Sequence, residues 1–156
     1  MDVIRRDTDY ALRMTSHLVE AYPTGKPLSA RALARDNAVS YAIACKLLQK
    51  LSAADVVVST MGPQGGFALA RRPEAITFGQ VIEAIQGPVN VIRCLAGDFR
   101  CPLKGACPVH QKLGDMQQAI DGFLADVTLA EFTKTKGMQR DESSKKTKRN
   151  PGRLYG

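Results

Sequence analysis

The first half of the chain alternates between helical and strand-like patterns in a fixed order. Apolar residues recur at three- and four-residue steps from Ile4 to Tyr22, which predicts an amphipathic helix that Pro23 ends. Ser29 and Ser40 stand where helix N-caps are expected, so each is predicted to begin a further helix. The chain is therefore predicted to start with three helices joined by short turns.

The third helix is followed by a predicted β-hairpin. The side chains expected to face the core from this helix are Ile43, Leu47, Leu48 and Leu51. Val56–Val58 and Phe67–Leu69 predict two short strands around the turn Gly62–Gly66. Thr77 and Gln80 have the spacing of a capping box, which opens a fourth helix. This order predicts a mainly α fold with a small β-hairpin, a winged helix-turn-helix, over residues 1–87.

A winged helix-turn-helix suits double-stranded DNA, because an α-helix fits the major groove and reads base edges there. The residues left to face DNA from the third helix are Ser40, Tyr41, Ala42, Cys45, Lys46 and Gln49. Ser29 is expected near a phosphate, and the hairpin tip, with Met61, Gln64 and Gly65, near the minor groove. From the pattern alone, the alternative is a small helical domain that binds other proteins.

Three cysteines fall close together in a segment with little periodicity, predicted as a sensor loop over residues 88–108. Cys94, Cys101 and Cys107 can converge on one centre, and thiolates select zinc, copper(I) or iron–sulfur clusters. The paired knuckles typical of zinc sites are missing, and wider spacing suits a cluster. A structural zinc and free redox thiols are the alternatives. His110 follows at the start of the next helix, as a ligand or a polar helix-start residue.

The last predicted helix, over residues 109–133, carries an apolar seam typical of two helices packed side by side. The seam consists of Leu113, Met116, Ile120, Phe123 and Val127. It predicts a homodimer. Eight basic and two acidic residues follow Thr133, so residues 134–156 carry +6 of the net charge of +7. We expect this tail to be disordered and to contact polyanions without specificity.

Several classes of protein are disfavoured by what the sequence does not contain. No apolar stretch approaches the roughly 18 residues that a membrane span needs, and no apolar run follows a basic patch near residue 1, as it would in a signal peptide. We therefore expect a cytoplasmic protein with reduced thiols and no membrane partner. No nucleophile–base motif or nucleotide loop supports an enzyme.

Taken together, these segments resemble the Rrf-type winged-helix regulators, which include the iron–sulfur cluster assembly regulator and the nitric-oxide-sensitive repressor. The matching pieces are Asp9–Arg13 and Leu33–Ala34, Leu47–Leu51 in the third helix, Gly62–Arg71 in the wing, and the three loop cysteines. Two departures are Met61, where many members have an arginine, and Cys45, where the cluster-assembly regulator has a glutamate. The resemblance runs from about Val3 to Phe132.

The resemblance implies a homodimeric transcription regulator, a repressor, on a near-palindromic operator. It also implies an iron–sulfur cluster, 4Fe-4S or 2Fe-2S, on Cys94, Cys101 and Cys107, whose state sets DNA affinity. One branch completes the cluster with an aspartate of the partner's first helix, where Asp9 stands, and the other with a histidine, where His110 stands. We favour Asp9, because we expect it to border the core, where a carboxylate is costly unless paired or bound to metal.

Overall fold

The computed structural model describes residues 3–97 and 101–132. The described helices are α1 (Arg6–Ala21), α2 (Ala30–Asp36), α3 (Tyr41–Ala53), α4 (Phe78–Gln86) and α5 (Pro108–Asp126). One antiparallel sheet is formed by β1 (Val57–Thr60) and β2 (Gly66–Leu69). The mainly α fold with a small β-hairpin is confirmed.

The helix-turn-helix unit is formed by α2 and α3, and both helices begin where the sequence predicts. The side chain of Ser29 accepts a hydrogen bond from the Ala32 amide at 3.1 Å, and that of Ser40 accepts one from the Ile43 amide at 3.3 Å. These caps satisfy amides that have no partner within the helix. The capping box of α4 is also confirmed, with Thr77 and Gln80 bonded reciprocally.

The hairpin is attached to the body of the domain by a third stretch of backbone. Thr60 pairs with Gly66 next to the turn, and Phe67 exchanges two backbone hydrogen bonds with Leu28 on its other side. A methyl group on Gly66 would lie 2.5 Å from the Leu28 carbonyl oxygen. This close approach requires glycine at the base of the wing.

The core lies where α1, α3 and α4 meet under the hairpin. Its largest fully buried side chains include Met14, Leu18, Leu47, Leu48 and Ile82. Leu129, which follows α5, is also fully buried, and its amide donates to the Ile76 carbonyl at 2.9 Å. The chain beyond α5 therefore returns to the core of the winged domain.

The prediction that the long helix continues to residue 133 is wrong. It begins one residue earlier than expected and ends at Asp126, and a 3-10 turn follows at Leu129–Phe132. The Val127 carbonyl accepts from the Phe78 amide at 2.8 Å instead of extending the helix. Val127 therefore lies just beyond α5, so the predicted seam has four of its five members on the helix.

The predicted inward face of α3 is also partly wrong. Ile43 is 38% exposed, whereas Ala44 is fully buried beside Leu47, Leu48 and Leu51. The small side chain lets α3 pack closely against its neighbours, and the branched one is left outside. β1 begins one residue and ends two residues later than expected, β2 begins one residue earlier and ends at Leu69 as expected, and α1 begins at Arg6 rather than Ile4.

None of the helices in the described ranges is long and apolar enough to cross a membrane. The basic tail, residues 134–156, lies outside the described residues.

Candidate nucleic-acid interface and cysteine loop

The outer face of α3 presents polar and apolar side chains to solvent in its first two turns. Tyr41, Ala42 and Lys46 are exposed, as is Gln49 one turn later, and Cys45 is half-buried. Ile43 joins this face, which the sequence pattern missed because isoleucine is the more apolar of two adjacent candidates for the core. Such a face can donate hydrogen bonds, contact phosphates and make apolar contacts.

Three side chains are in contact at the start of α3. The guanidinium of Arg31, on α2, lies 4.8 Å from the centre of the Tyr41 ring. The hydrogen bond of the phenol with Cys45 raises the pKa of Tyr41; the Cys45 charge and desolvation act in the same direction, while Arg31 lowers it. The phenol therefore stays neutral at ordinary pH. Arg31 was not among the predicted site residues.

The hairpin tip is exposed to solvent. Met61 is 95% exposed, and Gln64 is also exposed. The Gly65 amide donates to the Gly62 carbonyl at 3.0 Å, which closes the turn. The tip is therefore a defined loop with an apolar and an amide side chain at its surface.

The cysteine loop connects α4 to α5. Cys94 lies in a 3-10 turn (Arg93–Leu95), Cys101 just after the undescribed residues 98–100, and Cys107 immediately before α5. All three thiols are free and half-buried. The Cys94 sulfur lies 3.5 Å from Nδ1 of His110, in the first turn of α5. Over residues 3–97 and 101–132, no three Cys, His, Asp or Glu side chains are close enough together to hold a metal ion.

Asp9 is not at the border of the core. Its carboxylate is 55% exposed and accepts a hydrogen bond from the Arg13 guanidinium at 2.6 Å, one turn along α1. The burial argument for Asp9 as a metal ligand is therefore wrong, although its role in a partner's site stays a prediction. Within one chain, the described geometry brings His110 to the cysteine loop.

The exposed side of α5 carries the predicted seam. Met116 and Phe123 are exposed, and Leu113 and Ile120 are half-buried. The rings of Phe123 and Phe78 also lie nearly at right angles to each other, with 6.4 Å between ring centres. An apolar stripe of this kind on a helix surface can pack against a second helix.

Comparison with known proteins assigns the chain to a family. Residues 4–135 match the Rrf2 family, described as iron-dependent transcriptional regulators. The chain belongs to the Rrf2 family. The resemblance seen in the sequence is thereby confirmed, and the match covers the winged domain, the cysteine loop and α5.

Two relatives of this Rrf2 protein are the transcriptional regulators NsrR and IscR. It is 32% identical over 125 residues to the HTH-type transcriptional repressor NsrR of Streptomyces coelicolor, covering 80% of this chain and 84% of that one. It is 31% identical over 120 residues to the HTH-type transcriptional regulator IscR of Sodalis glossinidius, covering 76% and 72%. Because its relatives are regulators, this Rrf2 protein is a transcriptional regulator and not an enzyme.

Solved structures agree on the fold. The Rrf2 chain superposes on CymR, the global cysteine regulator of B. subtilis, with a TM-score of 0.69 and 26% identity, over 85% of this chain and 99% of CymR. It superposes on IscR of T. potens with a TM-score of 0.63 and 23% identity, over 82% and 83%. The winged-helix architecture is thus shared with regulators of known structure.

Proposed function

We propose that this protein is a homodimeric repressor that binds double-stranded DNA at a near-palindromic operator. The observation that carries the proposal is the exposed face of α3, formed by Tyr41, Ala42, Lys46 and Gln49, in a domain whose hairpin tip is exposed as well. A recognition helix needs such a face, because residues buried in the core cannot reach base edges. The name of the Streptomyces coelicolor relative supports repression in particular.

Lys46 and Gln49 are proposed to contact base edges, and the caps Ser29 and Ser40 to lie near phosphates. Exposed lysine can donate to guanine in the major groove or pair with a phosphate. Met61 and Gln64 at the hairpin tip are proposed to lie along the minor groove.

The test is DNA binding by the double variant Lys46→Ala with Gln64→Ala. The probe is a duplex that the wild-type protein selects from a random-sequence pool. We expect binding to weaken by about 1–3 kcal/mol for each base contact that the substitutions abolish. Lys112→Ala is the matched control, since it removes one exposed positive charge from α5. Wild-type affinity in the double variant, or no selection of any duplex by the wild type, would contradict the proposal.

We further propose that the cysteine loop binds an iron–sulfur cluster that makes DNA affinity responsive to redox conditions or nitric oxide. The donor set fits such a group, because three half-buried thiols and one imidazole belong to a single loop and the helix turn that follows it. Cys94, Cys101 and Cys107 would hold it. His110, beside Cys94, is the candidate for a fourth ligand from the same chain, and Asp9 the candidate from the partner.

An iron–sulfur cluster would supply a centre that reacts with oxidants and nitric oxide. The residues of the cysteine loop would orient the cluster and would limit the access of solvent to it. The family's description as iron-dependent supports this assignment.

The cluster is tested by purifying the protein without oxygen and measuring iron, sulfide and visible absorbance. Each alanine variant of the loop cysteines should lose the absorbance, and Cys45→Ala, a cysteine outside the loop, should keep it. His110→Ala and Asp9→Ala then assign the fourth ligand by which of them changes the spectrum. A colourless protein with stoichiometric zinc would indicate a structural zinc site. A colourless protein without metal would indicate free redox thiols.

A further inference from the structure

Among the described residues, Arg31 is the one positively charged side chain of another element that stacks on an aromatic ring of α3, the proposed recognition helix. It belongs to α2, but its guanidinium lies 4.8 Å from the centre of the Tyr41 ring, the first residue of α3. Arg31 is exposed, and none of the salt bridges among the described residues includes it. Its charge is therefore available to a ligand.

The ring of Tyr41 restricts where this charge can lie. An arginine side chain has many rotamers in solvent, and holding it in one position costs entropy. A cation over an aromatic face is attracted to the ring, which offsets part of that cost.

The second residue of α2 and the first residue of α3 meet at the end of the recognition helix that is expected to approach DNA. In a helix-turn-helix the first helix crosses the phosphate backbone while the second enters the groove. A guanidinium at this junction suits a phosphate, because its planar donors match phosphate oxygens. The neighbouring exposed Arg35 differs, because it pairs with Asp36 at 2.8 Å.

We propose that Arg31, held over the ring of Tyr41, contacts a DNA phosphate and fixes the position of α3 in the major groove. The inference rests on the proposed function and adds to it a positioning pair that carries no base specificity. Arg31 supplies the charge, and the Tyr41 ring sets its direction.

The test measures how the dissociation constant changes with salt concentration for the full-length protein. Two duplexes serve as probes: one selected by the wild type from a random-sequence pool, and one of unrelated sequence. Abolishing one phosphate interaction lowers the slope of log affinity against log salt by about 0.9. Arg31→Ala should lower the slope by about this amount per subunit on both duplexes and weaken binding about tenfold.

The variants of Tyr41 separate the ring from its hydroxyl group. Tyr41→Leu, which removes the ring, should lower affinity and salt slope in the same direction as Arg31→Ala. Tyr41→Phe, which keeps the ring and loses the hydroxyl, should bind as the wild type does. Equal losses for Tyr41→Phe and Tyr41→Leu would overturn the stacking half of the proposal.

The matched control is Arg35→Ala, which removes the same charge from the same helix. Its salt slope should equal that of the wild type. If Arg31→Ala behaves like Arg35→Ala while Lys46→Ala still weakens binding, the phosphate contact is wrong and the proposed function stands. If the wild type binds neither duplex, the proposed function fails and this inference fails with it. Thermal unfolding of each variant shows whether a loss of binding reflects a loss of folding.

Discussion

Ile43 presents a branched apolar side chain to solvent on the face of α3 that we propose enters the major groove. Thymine is the base that offers a methyl group there, and apolar side chains recognise it. Burying one methyl group contributes about 0.8 kcal/mol, or about fourfold in affinity. We therefore predict that Ile43 contacts a thymine methyl group.

The prediction is tested by replacing each thymine of the selected duplex, one at a time, with deoxyuridine, which lacks the methyl group. At one position in each half-site, the wild type should lose about fourfold in affinity, and Ile43→Ala should be insensitive to that replacement. Val109→Ala, an exposed aliphatic residue of α5, is the control and should keep the sensitivity. If Ile43→Ala keeps the same penalty at every position, Ile43 has no such contact.

At the level of single residues, the sequence predicted caps well and burial less well. Ser29, Ser40 and Thr77 were predicted correctly because a cap depends on a few neighbouring residues. The predicted positions of Ile43 and Asp9 relative to the core were wrong, because their burial depends on how the neighbouring helices pack. The contact of Arg31 with Tyr41 joins two helices, and periodicity within either helix carries no sign of it.

At the level of elements, the wing depends on how closely two backbones approach. Gly66→Ala would place a methyl group 2.5 Å from the Leu28 carbonyl oxygen, so either β2 or the backbone at Leu28 must shift. We predict a loss of about 1–3 kcal/mol in the free energy of unfolding, as for other overpacked sites. Denaturant unfolding measures it. Gly122→Ala is the control, since its methyl group would meet nothing within 4 Å; a loss there as large as at Gly66 would contradict the steric explanation.

The dimer prediction belongs to α5. Ile120 lies midway along the seam, half-buried between exposed Met116 and Phe123. Ile120→Asp would place an unpaired charge in an apolar interface, which costs several kcal/mol. We expect a monomer in sedimentation or light-scattering measurements. Gln118→Asp adds a charge of the same sign at an exposed position off the seam and should remain dimeric; a normal dimer from Ile120→Asp would exclude the seam from the interface.

The end of α5 shows what a sequence pattern cannot reveal about an element. Val127 and Ala130 continue the heptad spacing, and no proline or glycine marks a stop. The helix nevertheless ends at Asp126, because the backbone of Val127 and Leu129 bonds to Phe78 and Ile76 of the winged domain. Tertiary hydrogen bonds and the burial of Leu129 outweigh the local helical preference.

At the scale of the whole molecule, α5 and the residues that follow it contact both the winged domain and the segment that leaves α4. Beyond its C-terminal end, Leu129 is buried in the core. Near its middle, Gln117 binds the first residues of the cysteine loop, 88–93, which are called the linker below. The Val91 amide donates to the Gln117 side chain at 2.8 Å, and that side chain donates to the Val89 carbonyl at 2.7 Å. A change in the loop can therefore reach α5 and the DNA-binding domain together.

This arrangement predicts that Gln117→Met loosens the linker. Methionine is about as long as glutamine, so the substitution removes the hydrogen bonds and nearly preserves the side-chain length. The Val91 amide and Val89 carbonyl lose their partners, which costs less than the roughly 1–3 kcal/mol of a fully buried group, because both bonds are partly buried. Hydrogen exchange at the Val91 amide should become faster, while exchange in the centre of α1 and α3 stays slow.

The same substitution should weaken the coupling between the cysteine loop and DNA. Coupling of about 1–3 kcal/mol corresponds to an affinity change of about 5–150-fold between two states of a regulator. If the loop acts through its bond to α5, the ratio of DNA affinities before and after iron removal by a chelator should move towards one in Gln117→Met. Gln118→Met, an exposed neighbour on the same helix, should keep the wild-type ratio. A wild-type ratio in Gln117→Met, together with faster exchange at Val91, would show that the linker is loosened but that the signal reaches the DNA-binding domain by another route.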